Sequence, residues 1–173
     1  MTTPPDLREI DAKARRIRAL ILDVDGVLTD GRVIYLPGGN EGRTFHVRDG
    51  LGIQLLMASG CTVALLSGRE SDVVTRRAHE LGITALRLGI EDKVDAFESL
   101  LDEFQLNDLQ VAYVGDDLPD IPVLRRAGLG FAVADAAPEV RSAADLVLRT
   151  AGGQGAVREA CERILKAKEA WRV

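Results

Sequence analysis

The chain has 173 residues, 46% of them hydrophobic and 28% charged, with a net charge of −5. That length suits one domain with a sizeable core, so residues 1–173 are read as a single unit, and the acidic balance gives nucleic acid no electrostatic support. Residues 1–17 are polar and charged with no signal-peptide pattern, and the uncharged stretch 50–68 is interrupted by Gln54, Ser59, Gly60, Thr62 and Ser67. No membrane association is therefore expected, and the expected location is the cytoplasm. Cys61 and Cys161 match no metal spacing or CxxC motif and lie in apolar segments, so they read as buried free thiols in a reducing compartment.

In chain order, the first element is the apolar run 19–22, a buried strand. It ends on Asp23-Val24-Asp25-Gly26-Val27. An extended chain points residues i and i+2 the same way, so Asp23 and Asp25 crowd two carboxylates together. Such crowding is costly unless a cation or a proton is shared. A calcium loop starting at Asp23 would need Gly at its sixth position and Glu at its twelfth. Leu28 and Ile34 stand there instead. A surface turn after the strand is the remaining bland reading.

Residues 31–47 follow as two β-prone runs, 32–36 and 43–47, around the Gly-rich turn 37–42, and read as a hairpin at the mouth of any site near Asp23. A helix at 51–58 and a strand at 62–66 come next, then Ser67-Gly68-Arg69 and a helix at 71–81. A strand at 85–88 precedes a helix at 92–104, with Lys93 at its start. The strand 110–114 runs into Gly115-Asp116-Asp117, and Asp120 opens a helix at 120–126. Strands at 130–133 and 146–148 flank a helix at 138–143, and a helix at 156–170 closes the chain. The loop Gly152–Gly155 before it reads equally as an anion cradle or a flexible connection.

This strand–helix alternation predicts an α/β fold, a mostly parallel sheet with helices on both faces. No G-x-G-x-x-G follows the first strand, which disfavours a dinucleotide fold. Ligands of open α/β sheets bind beyond the carboxyl ends of the strands. Asp23, Asp25, Ser67, Gly68, Arg69, Lys93, Asp116, Asp117 and Asp120 all fall at that edge. Each alone could be a cap or a turn. Their convergence in chain order points to chemistry.

Together D-x-D-G-V, a Ser ending the second body strand, a Lys, and G-D-D-x-x-D resemble the four motifs of the haloacid dehalogenase superfamily of phosphatases. Phe45-His46-Val47-Arg48-Asp49-Gly50, Ser67-Gly68-Arg69 and the run 152–159 resemble, more narrowly, the family that hydrolyses 3-deoxy-D-manno-octulosonate 8-phosphate (KDO 8-phosphate). A related branch acts on nine-carbon sugar-acid phosphates of the KDN and sialic acid type. Its members tend to carry Glu where Arg69 stands and to lack Val47-Arg48-Asp49. This sequence resembles the octulosonate branch on both counts.

The resemblance implies a Rossmann-like, doubly wound body with a hairpin insertion and no large cap domain. It implies a Mg²⁺-dependent phosphomonoesterase of lipopolysaccharide precursor synthesis, working through an aspartyl phosphate on Asp23. Asp25 is implied as the proton shuttle. Asp23, the backbone carbonyl of Asp25 and Asp116 are implied as holding the metal, with Lys93, Ser67 and Gly68 balancing phosphoryl charge. Asp120 is expected to orient Lys93 or the metal waters, and Asp117 either supports the site or caps a helix. Arg48 and Arg69, with Arg77 as a weaker candidate, are expected to bind a sugar-acid carboxylate. His46 and His79 have no partner motif and are read as structural. A homotetramer meeting through the hairpins is implied. Relatives often carry a tail beyond the last helix, which the short run 170–173 puts in doubt. A phosphotransferase lacking its usual cap, or a catalytically silent binding module of the same fold, are the competing readings.

Overall fold

The protein is described by a computed structural model over residues 6–172. Its centre is a strand of four fully buried residues, β1 (Ala19–Leu22). Unbroken apolar sequence with both faces covered is what a central parallel strand requires. Around it lie β4 (Thr62–Leu66), β5 (Ala85–Arg87), β6 (Val111–Gly115), β7 (Leu129–Ala132) and β8 (Leu146–Val147), each within two residues of its expected bounds. The order is β5-β4-β1-β6-β7-β8, and every pairing is parallel. The chain winds outward from β1 in both directions, so the strand order reverses between β1 and β6. That reversal opens the crevice in which such sheets bind ligands.

Helices cover both faces. On one face α2 (Val47–Ala58) packs along α7 (Ala156–Ala167), α7 packs along α1 (Leu7–Arg16), and α3 (Asp72–Leu81) lies beside α2. On the other, α5 (Ile121–Arg126) packs against α4 (Lys93–Phe104) and α6 (Pro138–Ala143). Phe97, Tyr113 and Phe131 are the bulkiest fully buried side chains of the core. Both cysteines are buried and free, as expected. No described helix is long and apolar enough to cross a membrane.

Three departures from the sequence reading have physical causes. The polar stretch at the start is helical from Leu7 to Arg16. Asp6 caps it by accepting the Arg8 N–H at 2.9 Å. Ile10, Ala14 and Ile17 recur at i, i+4 and i+7 and are buried, a stripe narrow enough to hide among the charges. Second, α2 begins at Val47, four residues before its expected start at Leu51. The His46 ring nitrogen accepts the Arg48 N–H at 3.2 Å and caps it, which offsets the poor helix propensity of Gly50 and Gly52.

Third, the hairpin is shorter than expected. β2 (Ile34–Tyr35) pairs antiparallel with β3 (Glu41–Gly42) around a turn at Pro37–Gly39. The expected second limb, 43–47, is not a strand. Arg43 turns into the protein with a side chain 0% exposed, and Val47 already belongs to α2.

Candidate active site

Register builds the site. Leu22 pairs with Leu65 on one side and Val114 on the other. One residue further on, Asp23 comes level with the ends of β4 and β6, beside Ser67 and Asp116. The cleft there has a volume of about 460 Å³, and Asp23, Asp25, Ser67, Arg69, Lys93 and Asp116 are among the residues lining it. Gly68, Asp117 and Asp120 also line it. Of the predicted site residues, Arg48 lies elsewhere, exposed on the first turn of α2, and the weaker candidate Arg77 is also outside it.

Lys93 is the pivot. Its ammonium lies 2.7 Å from Asp23 Oδ1 and 2.6 Å from Asp120 Oδ1. Asp120 is 1% exposed, and its carboxylate also accepts the Tyr113 hydroxyl at 2.6 Å and the backbone N–H groups of Asp116 at 2.9 Å and Asp117 at 3.2 Å. Both oxygens of Asp120 are thus committed to donors, and the residue acts as a bracket for Lys93 and for the loop after β6. Burial raises the Tyr113 hydroxyl's pKa well above its ordinary value, and the Asp120 charge adds to it, so Tyr113 stays a donor. Asp117 caps the short turn Leu118–Asp120 by accepting the Leu118 N–H at 2.8 Å.

Oxygens of Asp23, Asp116 and Asp120 lie within 4.8 Å of one another. One ammonium cannot neutralise three carboxylates. Burial and then the Asp120 charge push Asp23 up to about 6, although Lys93 pulls the other way. Burial and then the Asp23 charge push Asp116 up to about 8. Burial works against the Lys93 charge, but Asp23 and Asp120 overcome it and raise its pKa. The cluster is short of positive charge, and its donors are all hard oxygens, the set that suits a small divalent cation such as Mg²⁺. Because Asp120 is saturated, Asp23 and Asp116 are the carboxylates free to hold one.

The backbone is shaped to let these groups meet. Gly26 has φ +90°, and a Cβ there would stand 2.0 Å from Asp116 Oδ2. Thr29, fully buried, accepts the Gly31 N–H at 3.2 Å with its hydroxyl and closes the loop. The glycine run before α7 backs the same loop. The Gly153 N–H donates to Val27 O at 3.0 Å, and a Cβ on Gly152 would lie 1.7 Å from Gly26 O. The first turn of α7 already has an internal acceptor, since Asp49, 1% exposed, accepts the Arg158 N–H at 2.7 Å. Gly152 and Gly153 thus act as a backstop for the active-site loop.

Asp25 is held on its far side by Arg43, which sequence reading missed. Arg43 Nε lies 2.7 Å from Asp25 Oδ1 and Nη2 3.3 Å from Oδ2. Glu41 and Ser71 bind the same guanidinium. Arg69, half exposed, lies 3.8 Å from Asp25 and 3.6 Å from Glu41. Arg77 packs on Phe45 with its guanidinium 5.9 Å from the ring centre and pairs with Glu80, away from the cleft. Neither histidine reaches the site; His46 is the cap of α2, and His79 is exposed in the last turn of α3.

Comparison with known proteins agrees with this geometry. The haloacid dehalogenase-like hydrolase family matches residues 89–160. The 3-deoxy-D-manno-octulosonate 8-phosphate phosphatase KdsC of Escherichia coli K12 is 48% identical over 164 residues, 95% of this chain and 87% of that protein. The crystal structure of the 3-deoxy-D-manno-octulosonate 8-phosphate phosphatase from Moraxella catarrhalis, in complex with magnesium, phosphate and KDO, superposes with a TM-score of 0.93. The two are 43% identical, and the match covers 95% of this chain and 94% of that one. A probable YrbI family phosphatase from Pseudomonas syringae gives a TM-score of 0.92 at 50% identity over 94% of this chain and 93% of that one.

The raised carboxyl pKa values carry a signed consequence. Without metal, folded Asp23 and Asp116 hold protons more tightly than the unfolded chain, whose aspartates titrate near ~3.9. Metal-free stability therefore falls as pH rises from about 4 through about 6 for Asp23 and about 8 for Asp116. A divalent cation bound to the ionised pair removes the penalty. Thermal unfolding at constant ionic strength should show Mg²⁺ raising Tm over an EDTA control, and by more at pH 8 than at pH 5. A Tm indifferent to Mg²⁺ at both pH values contradicts a metal site here.

Proposed function

The chain belongs to the haloacid dehalogenase-like hydrolases, in the branch of the 3-deoxy-D-manno-octulosonate 8-phosphate phosphatases, and we infer from that membership and the cleft that it hydrolyses KDO 8-phosphate to KDO and phosphate. It is a Mg²⁺-dependent phosphoric monoester hydrolase of lipopolysaccharide precursor synthesis. The observation that carries the reading is Lys93 bridging Asp23 and Asp120 at 2.7 and 2.6 Å, opposite Asp116, at the reversal point of the sheet.

Phosphate monoesters hydrolyse extremely slowly unaided, so the route divides the reaction in two. Asp23 attacks phosphorus through a carboxylate oxygen and forms an aspartyl phosphate as the P–O bond to the sugar breaks. Asp25 delivers its proton to the departing sugar oxygen. It then takes a proton from the water that opens the acyl phosphate, returning both residues to their starting states. Lys93, the Ser67 hydroxyl and the Gly68 N–H stabilise charge on the transferring oxygens. Asp120 keeps Lys93 aimed at Asp23, and Asp117 fixes the neighbouring turn. Asp23, the backbone carbonyl of Asp25 and Asp116 would hold Mg²⁺, which when bound supplies the missing positive charge beside the phosphoryl group.

The sugar end meets Arg69. Its half-exposed guanidinium is only loosely engaged with Asp25 and Glu41 and is free to fork onto a carboxylate. Among the described residues no cap domain stands over the cleft, and residues 1–173 are read as one domain open on this side. Ile34, Tyr35 and Leu36 on the hairpin, and Val47 and Leu51 at the start of α2, are exposed apolar side chains. They support a homotetramer built on the hairpins, in which Arg48 serves a neighbour's cleft. The buried free thiols Cys61 and Cys161 suit the reducing cytoplasm as its location.

Asp23→Asn should abolish phosphate release from KDO 8-phosphate while leaving the unfolding transition cooperative; near-normal turnover would remove Asp23 as nucleophile. Arg69→Ala should raise KM for KDO 8-phosphate about tenfold, the equivalent of ~1.4 kcal/mol for a partly exposed pair. The same change should leave a small aryl phosphate nearly unaffected. Equal losses on both substrates would assign Arg69 to the phosphoryl group instead. Light scattering should give a mass four times that of the chain, and a fully active monomer would remove the shared cleft.

A further inference from the structure

A guanidinium removed from water must be fully engaged, because an unpaired buried charge is strongly destabilising. The Arg43 side chain is 0% exposed and meets that demand with Asp25, Glu41 and Ser71. It is not among the residues lining the cleft, whereas Asp25 and Arg69 are. Arg43 therefore cannot touch a substrate. Its direct contact with the groups of the cleft is Asp25; a looser link runs through Glu41 to Arg69.

The geometry of that contact is directional. Two nitrogens of one planar fork hold the two oxygens of one carboxylate, and such a pair fixes orientation as well as charge. An aspartate side chain 23% exposed on a loop would otherwise sample several rotamers. Glu41 holds the fork from behind, and Ser71, the residue before α3, ties it to the body. Proton delivery is sensitive to placement, and a displacement of about 1 Å can cost roughly a hundredfold in rate.

We propose that Arg43, anchored by Glu41 and Ser71, is a positioning residue that sets the direction of the Asp25 carboxyl group toward the leaving oxygen. This rests on the reading of Asp25 as the proton shuttle. A sugar alkoxide needs that proton in the first step; a dinitrophenolate does not.

The test compares single-turnover release from KDO 8-phosphate and from dinitrophenyl phosphate by the Mg²⁺-loaded enzyme, in Arg43→Gln, Arg43→Lys, Glu41→Gln and Asp25→Asn. Arg43→Gln should slow sugar release about tenfold or more and leave dinitrophenolate release within about twofold of the parent. KM and calorimetric affinities for Mg²⁺ and vanadate should be unchanged. Arg43→Lys, which keeps one charged donor, should recover part of the rate. Glu41→Gln should give the same selective loss, smaller, and serves as the measure if Arg43→Gln does not fold. Equal loss on both substrates, or weakened Mg²⁺ or vanadate binding, overturns the proposal. If Asp25→Asn is selective for the sugar phosphate and the Arg43 variants are not, only this inference fails. If Asp25→Asn turns over KDO 8-phosphate normally, the shuttle reading fails and the inference goes with it.

Discussion

One ammonium among three carboxylates, two of them buried and the third half-buried, organises this molecule. Lys93 reaches Asp23 and Asp120, and Asp116 stands close by with no cation of its own. Charges so enclosed are weakly screened, so each must be placed as well as tolerated. Asp120 has its hydrogen-bonding capacity filled, by a phenol and two backbone N–H groups beside Lys93. That leaves the deficit on Asp23 and Asp116, the two whose pKa values rise most informatively, to about 6 and about 8. The protein thereby separates an acid that serves as scaffold from two that invite a cation. Inter-oxygen distance alone does not make this distinction, since all three fall in the same 4.8 Å cluster. Counting the donors already spoken for does.

The fold exists to bring those groups together from far apart in sequence. Parallel register levels the ends of β4, β1 and β6, and α4 starts with Lys93 pointing back across the gap. Close backbone approach then needs absent side chains. Gly26 makes room for Asp116, and Gly152 makes room for the Gly26 carbonyl. A methyl group at either place would meet an atom far inside contact distance, so the loop would have to move and the carboxylates with it. Asp49 does the complementary work from behind, capping α7 from α2 and so fixing the glycine run that supports the loop.

Much of this was legible in the sequence, for reasons that differ by residue. The strand 19–22 was read to the residue because a fully buried strand is an uninterrupted apolar run, and 62–66 because the buried apolar run 63–66 follows the exposed Thr62 directly. Asp23, Asp25, Ser67, Lys93 and Asp116 were legible because each follows a strand or opens a helix at one edge of the sheet. Helix 7–16 was not, since two buried residues, with Ile17 just past its end, leave little periodic signal among so many charges. Arg43 and Glu41 were invisible for a different reason. Glu41 was read as part of the turn 37–42 and Arg43 as the start of a strand, and alternation there assigns faces but cannot show that an arginine folds inward onto a loop eighteen positions earlier. Tyr113 looked like core and is core; only its hydroxyl, donating to Asp120, belongs to the site.

The hairpin has two faces with different tasks. Tyr35 is 79% exposed and pairs across the ladder with Glu41, whose carboxylate grips Arg43. Two-residue strands are too short to be stable alone, so this hairpin depends on what lies on each side. On the inner side it has ionic and hydrogen-bonded partners: Asp25 and the Ser71 hydroxyl through Arg43, and Arg69 through Glu41. On the outer side it offers Ile34, Tyr35 and Leu36 to whatever covers them. In the proposed tetramer the covering surface is another hairpin. Burying the apolar side would then rigidify Glu41 and, through Arg43, the carboxyl group of Asp25. In that assembly one buried guanidinium would stand between the hairpin contact and the Asp25 carboxyl group, so the site would be ordered from outside.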